Sequence, residues 1–199
     1  MPNHSDVVNC IYEEALAMTA NDDYTTTLNQ EIQTYIEQIV ERSETNKGLL
    51  AVLTTLLVHK IVDPNQDIRY HQAQLANGFA GRGIDQNYIT PFMKRVHFPA
   101  MAESGWLTRS LEQAHPYDLS YPGKIKPDSV KNAFLKIIDQ VQNNDLNPNL
   151  VLVYFFKLLI RQRDSINIEL AKPHSLSISQ IIKLLEKHFT YRYSCSGAS

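Results

Sequence analysis

Cations, glycines and aromatic side chains are concentrated in residues 68–126 of this 199-residue chain. Five of its seven glycines and its only tryptophan, Trp106, fall in this segment. An arginine guanidinium can donate two hydrogen bonds to a phosphate or to a guanine edge, and glycine lets a backbone approach a ligand closely. The composition therefore indicates a surface that contacts phosphates and bases.

Two arginines stand out within this segment. Arg82 lies between Gly81 and Gly83, so its side chain has little neighbouring bulk and can clamp a phosphate. The structural alternative is a tight connection between helices whose arginine is only solvated. Arg109 lies one helical turn after Trp106, which we expect to anchor the core because tryptophan is highly buried on average.

The sequence contains no complete catalytic motif. A metal-dependent nuclease needs an Asp and a D/E-x-K pair to hold Mg²⁺ and assist the attacking water, and no D/E-x-K occurs. Pro127-Asp128 resembles the first half of such a motif but lies where a helix is expected to start. The G-x-S-x-G, H-E-x-x-H and P-loop motifs are absent too. A complete active site is therefore not expected in these residues.

The formal net charge of −2 argues against a generally basic nucleic-acid binder, but the charge is unevenly distributed. Residues 1–58 carry nine acidic and two basic side chains, whereas residues 59–131 carry nine basic and seven acidic ones together with four histidines. A local basic surface is therefore expected in the central part of the chain. The alternative is a solvated acidic face at the N-terminal end and balanced charge elsewhere.

The two cysteines, Cys10 and Cys195, form neither a CxxC pair nor a zinc-binding cluster, so a reducing, cytoplasmic setting is expected. No signal peptide is expected, because residues 1–20 lack a basic start. The longest apolar runs, 48–58 and 150–160, are about eleven residues long, shorter than the roughly 20 that span a bilayer. These runs are predicted to be core helices.

Apolar residues at three- and four-residue spacing predict a mostly α fold, with weak strand signals throughout. Gly78 is predicted to end a helix over residues 67–77. Residues 80–85 are predicted to be a glycine-rich turn, and residues 97–121 are predicted to be irregular. The expected architecture is an irregular helical domain with a loop region rich in glycine, arginine and aromatic residues in its middle. Helices are predicted over residues 7–19, 25–43, 49–62, 67–77, 86–96, 127–143, 149–163 and 180–189.

We expect residues 1–199 to form a single helical domain. The tail ends on small polar residues without a closing element, so a longer protein is expected to continue after Ser199. The parts of the domain are an acidic helical part (1–62), a Gly/Arg-rich central region (63–126), C-terminal helices (127–189) and the tail (190–199).

Several blocks of the central region carry a family resemblance. They are Asp67-Ile68-Arg69-Tyr70-His71, Gly81-Arg82-Gly83, Thr90-Pro91, FPAMAESGWLTRSLE at residues 98–112, Pro116-Tyr117 and YPGKI at residues 121–125. With these blocks the chain resembles the helical N-terminal region of type II restriction endonucleases, upstream of their catalytic domain. The resemblance covers roughly residues 49–142 and, loosely, residues 194–199.

This resemblance implies a DNA-binding or specificity region of a restriction–modification system. Catalysis in the family uses a PD-(D/E)xK site with Mg²⁺, and no such site occurs in this sequence. The resemblance therefore implies a catalytic domain after Ser199, which would hold the Mg²⁺, and a chain that does not cleave DNA by itself.

The leading hypothesis is a DNA-recognition and scaffold domain that binds double-stranded DNA, with a homodimer as a further expectation. One alternative is a helical protein-interaction or dimerisation module that docks through helices 49–62 and 150–163. Another is an intact small enzyme whose site assembles from unlinked residues. The candidate contacts to phosphate or guanine are Arg69, Arg82, Lys94, Arg95, Arg109 and Lys124, and the candidate adenine readers are Gln72 and Asn87.

Overall fold

The structure is a computed structural model that describes residues 3–20, 26–112, 115–170 and 182. It is mostly helical, as the periodicity of the sequence predicts. One compact unit comprises Met1–Arg161, and a second unit, Gln162–Ser199, begins within the last helix. The predicted helix 180–189, apart from Ile182, and the tail 190–199 lie outside the described residues.

The described part of the chain contains seven α-helices, two short strands, a π-helical turn and a 3₁₀ turn. In chain order they are α1 (His4–Thr19), α2 (Gln30–Glu41), α3 (Lys47–Val62), β1 (Asp67–His71), β2 (Gly78–Phe79), α4 (Gly81–Ile84), a π-helical turn (Asp85–Ile89), α5 (Thr90–Arg95), a 3₁₀ turn (Gly105–Leu107), α6 (Asp128–Gln142) and α7 (Pro148–Leu170). Within the described residues, no helix is long and apolar enough to cross a membrane.

The core is built around α3, which is apolar on every side. Every residue from Gly48 to Lys60 is buried, and α1, α6, β1 and the 3₁₀ turn all pack against this helix. Burying a leucine or isoleucine side chain contributes about 1.5–3 kcal/mol, so a helix of this composition is stable only when it is surrounded. The hydroxyls of Thr54 and Thr55 each donate to a carbonyl one turn earlier, at 2.8 Å, which satisfies them inside the core.

The amphipathic helices close the core from outside. α2 buries Ile32, Ile36 and Ile39 against α6, and its start is set by Asn29, whose carboxamide accepts a hydrogen bond from the Ile32 amide at 2.9 Å. This cap explains why the helix begins five residues later than the predicted start at residue 25. The predicted helices at 7–19, 49–62 and 127–143 are confirmed to within three residues at each end.

Most apolar residues of α7 between Val151 and Ile160 also lie in the core. Phe156 packs against Phe92 and Phe98, with ring centroids 5.6 Å apart in both cases, and Leu152 and Phe155 are fully buried. The apolar residues of α3 are buried in the same way. The alternative hypothesis assigns α3 and α7 to a docking surface. Most of their apolar side chains are instead buried in the core of the chain itself.

The predicted helix over residues 67–77 is wrong. Its first part is β1, which pairs in parallel with the two-residue strand β2, and its last part is a turn. The backbone of β1 is bound on both sides: Asp67 N–H donates to the Asn77 carbonyl at 2.9 Å, and the Arg69 carbonyl accepts from Tyr117 N–H at 2.9 Å. The first partner lies at the end of the same segment and the second, Tyr117, lies 48 residues after Arg69; together they override the local helical preference. Gly78 consequently begins a strand instead of ending a helix.

The predicted turn over residues 80–85 is also wrong. Gly81 begins a helix that runs without interruption through α4, the π-helical turn and α5 to Arg95. We call residues 81–95 the central helix, and the part from Asp85 to Ile89 the π turn. Residues 97–112 and 115–121 are irregular as predicted, except for the 3₁₀ turn.

Candidate nucleic-acid interface

The solvent face of the central helix carries cations and amides but no carboxylate. Asp85 is the only acidic residue between Gly81 and Arg95, and it is fully buried. A helix with this distribution presents a positive surface to its surroundings, although the chain as a whole is acidic. The exposed residues of the central helix are Arg82, Gly83, Gln86, Asn87, Tyr88, Pro91, Lys94 and Arg95.

The buried Asp85 fastens the central helix to the loop beneath it. Its Oδ1 accepts a hydrogen bond from the Thr90 hydroxyl at 2.7 Å. Its Oδ2 accepts from the Ser104 hydroxyl at 2.7 Å and from the Gly105 amide at 2.8 Å. A buried carboxylate is costly unless donors surround it, and three donors meet this one. Asp85 therefore holds the π turn against the 3₁₀ turn and leaves the other side of the helix free.

Two glycines of the segment allow close packing below the helix. A Cβ on Gly105 would lie 2.3 Å from the carbonyl oxygen of Gly48 in α3, and a Cβ on Gly81 would lie 2.7 Å from the rings of Phe79 and Trp106. Gly83 differs, because nothing lies within 4 Å of its Cβ position. The glycine-rich composition thus serves packing at residues 81 and 105 and leaves an open surface at residue 83.

Trp106 packs against the core as expected, but it is only partly buried. Its ring meets Phe79 edge to face, with centroids 6.3 Å apart and planes at 74°, and it packs on the main apolar cluster. Such edge-to-face pairs add to the stabilisation from burial alone. Arg109, three residues later, is exposed and lies on the loop that follows the 3₁₀ turn.

Arg69 is engaged inside the protein. Its guanidinium forms ion pairs with Asp67 at 2.9 Å and with Asp139 of α6 at 3.2 Å, so it ties β1 to that helix. The hydrogen bond to Asp67, with a smaller contribution from Asp139, raises the pKa of Arg69 above its ordinary value. Arg69 was predicted to contact phosphate or guanine. These ion pairs instead give it a structural role within the protein.

The other candidate residues are all exposed. Lys94 donates to the Ala102 carbonyl at 2.5 Å, and Arg95 donates to Asn9 of α1 while its guanidinium lies 5.5 Å from the ring centroid of Phe92. Arg82 makes no hydrogen bond or ion pair within the described part of the chain. Among the eight candidates, the structure brings four together on the central helix: Arg82, Asn87, Lys94 and Arg95. Gln72, Arg109 and Lys124 lie on separate loops.

Two exposed side chains of the central helix, Gln86 and Tyr88, were not among the candidates. No sequence signal identifies them, because only the burial of Asp85 and Ile89 in the structure shows that Gln86, Asn87 and Tyr88 are three consecutive exposed residues. Because the sequence 80–85 is predicted to be a turn, the face to which Gln86 belongs is not visible without the fold.

A ladder of four rings connects α1 and α3 to the central helix. The rings of Phe79, His59, His4 and Tyr88 stack in that order, with centroid distances of 5.0, 5.2 and 5.6 Å. His4 Nε2 lies 2.9 Å from His59 Nδ1, and His59 Nε2 lies 2.5 Å from the side-chain oxygen of Gln66. Burial, and then the proximity of His59, lower the pKa of His4.

A pocket of about 290 Å³ opens at the start of α3, among residues that include Asn46, Lys47, Met101, Ser110 and Ile125. The side-chain amide of Asn46 is already bonded to the Lys126 carbonyl at 3.0 Å. Within the described ranges, no group of three His, Cys, Asp or Glu side chains has a metal-binding arrangement. The geometry of the central helix therefore suits binding through charge and hydrogen bonds, and its one carboxylate is occupied in holding the fold.

Comparison of the chain with models of known protein families, with curated proteins and with solved structures finds no match.

Proposed function

We propose that this chain is a DNA-recognition and scaffold domain of a type II restriction endonuclease and that it does not cleave DNA by itself. In this proposal it acts in the cytoplasm, binds double-stranded DNA, and forms a homodimer. The Mg²⁺ required for cleavage belongs to a catalytic domain outside these 199 residues.

The observation that carries the proposal is the acid-free solvent face of the central helix. Arg82 lies near the start of the helix, and Lys94 and Arg95 lie at its end, with the amides of Gln86 and Asn87 between them. Lysine and arginine neutralise phosphates and release their counterions, which supplies most of the sequence-independent affinity for DNA. The resemblance in residues 49–142, whose blocks include Gly81-Arg82-Gly83 and Thr90-Pro91 of this helix, implies the same ligand.

The binding measurement that tests the proposal uses fluorescence anisotropy with the full chain and a labelled 30-base-pair duplex of mixed sequence. Binding is expected in low salt, with an affinity that falls steeply between about 50 and 200 mM salt. Each phosphate contact contributes roughly −0.9 to the slope of log affinity against log salt. Exchange of the charge in Arg82→Glu and Lys94→Glu is expected to abolish the binding.

The matched control is Arg42→Glu. Arg42 is an exposed arginine at the end of α2, a helix that packs on α6, so this variant makes the same change of charge on another surface. Only a small, salt-screened loss of affinity is expected. Absence of binding by the unaltered chain in low salt would sink the proposal, and so would an equal loss of affinity in Arg42→Glu and Arg82→Glu.

A further inference from the structure

We infer that the π turn is a base-reading element, in which Gln86 and Asn87 recognise adenine in the major groove while Arg82 and Lys94 hold the flanking phosphates. The inference rests on the proposed DNA-binding function and adds to it a division of roles between named side chains of the central helix.

The first observation is the shape of the turn. The Thr90 amide donates to the Asp85 carbonyl, five residues earlier, which is the hydrogen bond of a π-helix. Such turns are wider than those of an α-helix, are rare in proteins, and are frequent at functional sites. The widened turn in this chain is the part of the central helix that shows three consecutive residues, Gln86, Asn87 and Tyr88, to solvent.

The second observation is that the protein holds this turn in place. The Asp85 carboxylate bonds to the hydroxyls of Thr90 and Ser104 and to the Gly105 amide. Thr90 and Ser104 are themselves buried. The less favourable π geometry is therefore fixed by a satisfied polar cluster, which holds the backbone that carries the outward side chains in a defined position.

The third observation concerns which of the three outward side chains are free. Neither the Gln86 amide nor the Asn87 amide makes a hydrogen bond within the described residues, whereas the Tyr88 ring is stacked on His4 at 5.6 Å. An amide that donates and accepts at once matches the N6 and N7 groups of adenine, and Asn and Gln are the side chains that make this paired contact. Gln86 and Asn87 thus have both the chemistry and the freedom for it.

The fourth observation is that cations lie on either side of the π turn, Arg82 before it and Lys94 after it. Arg82 precedes Lys94 by twelve residues along the chain. A helix in the major groove has phosphates on both sides of the bases that it faces, so the inference assigns Arg82 and Lys94 to the sugar–phosphate backbone on either side of the bases read by the π turn. The space next to Gly83 is open, and the helix can therefore approach the duplex closely near Arg82.

The experiment uses the full chain and a 30-base-pair duplex library with twelve randomised central positions. Successive rounds of selection and sequencing are run in parallel for the unaltered chain, Gln86→Ala, Asn87→Ala and Arg82→Ala. The unaltered chain is expected to enrich a motif with at least one fixed adenine. In Asn87→Ala or Gln86→Ala the preference at that adenine should fall at least tenfold, while the salt slope stays unchanged. Arg82→Ala should keep the motif, weaken all sequences alike, and reduce the salt slope by about one.

A chemical substitution in the DNA checks the atoms involved. Replacing the fixed adenine by 7-deazaadenine removes the N7 acceptor, and it should weaken binding of the unaltered chain about tenfold. It should leave the variant that has lost the contact unaffected. Circular dichroism serves as the folding control for these exposed positions.

The outcomes separate this inference from the proposed function. If the chain binds duplex DNA but enriches no motif, or if both amide variants enrich the same motif as the unaltered chain, base reading by the π turn is overturned and DNA binding stands. If the chain binds no duplex in low salt, the proposed function fails and the inference fails with it.

Discussion

Gly105 and Gly83 come from the same glycine-rich segment, but they belong to regions with opposite roles. The region around Gly105 is interior: its backbone lies directly on α3, and Tyr117 and Tyr121 are buried in the same segment. The region around Gly83 is the outer face of the central helix, with open space at the glycine. The two regions contain the same residue types. Only the fold shows which glycine is needed for close packing and which lies on an open surface.

The difference also explains why arginines of this segment are not equivalent. Arg69 on β1 is partly buried and bridges Asp67 and Asp139, whereas Arg82 lies on the outer face without an ion pair among the described residues. A positive side chain in a functional segment is therefore a candidate contact only when its charge is not already used by the fold.

The largest expected effect on stability is that of Gly105→Ala, which disrupts the packing of the interior region. The new Cβ would lie 2.3 Å from the Gly48 carbonyl and 2.9 Å from Val52 Cγ2, so the loop must move away from α3. We expect a loss of about 3 kcal/mol or more in the free energy of unfolding, measured with urea. A loss below about 1 kcal/mol would show that the loop yields easily and that the two regions differ less than the geometry indicates.

Asp85→Asn tests the link between the regions. The amide group that replaces one carboxylate oxygen cannot accept hydrogen bonds, so a buried donor loses its partner. We expect the free energy of unfolding to fall by about 2–3 kcal/mol, together with faster hydrogen exchange at the Thr90 amide. The matched variant Asp128→Asn, which removes an exposed carboxylate paired with Lys126, should change stability little. Equal effects of the two substitutions would contradict the fastening role of Asp85.

A smaller effect is expected from pH, through the ring ladder that joins α1 to the outer helix. Because burial and then His59 lower the pKa of His4, the neutral form is favoured in the folded chain. The stability that His4 contributes is therefore complete above about pH 6.5, its ordinary pKa, and is lost as the pH falls through its lower folded value. Urea unfolding from pH 7.5 to 5 should show a steeper decline for the unaltered chain than for His4→Gln. Parallel declines would show that the folded environment of His4 has no such influence.

The smallest effect is expected from Gly83→Ala on the outer face. The added methyl group meets nothing within 4 Å, and alanine is the better helix former, so the free energy of unfolding should rise by about 0.5–1 kcal/mol. The contrast with Gly105→Ala is sharpest when both are measured by the same urea titration. Destabilisation by Gly83→Ala would mean that the helix does not extend through this position.

The sequence predicts much of the helical framework, for a clear reason. α1, α3 and α6 carry their own periodicity or a continuous apolar run, so local information suffices to find them. β1 is not predicted because its pairing depends on a turn within residues 67–77 and on Tyr117, which lies 48 residues after Arg69. The start of the central helix was missed because two glycines in three residues indicate a turn, while the burial of Gly81 under two rings is visible only in three dimensions.

The candidate site follows the same division. Arg82, Asn87, Lys94 and Arg95 are close in sequence and share one helix, so a search by composition brings them together. Arg69 could not be set aside in advance, because its second partner, Asp139, lies 70 residues away. Gln86 could not be included in advance, because its exposure depends on Asp85 being held inward.

The placement of the chain's single tryptophan has a practical consequence. Trp106 touches Phe79 edge to face and lies under Gly81, the first residue of the central helix. Its intrinsic fluorescence is therefore a built-in optical probe of that first turn, with no competing indole elsewhere in the sequence. Events at Arg82, one residue further along, can be followed by light without attaching a label.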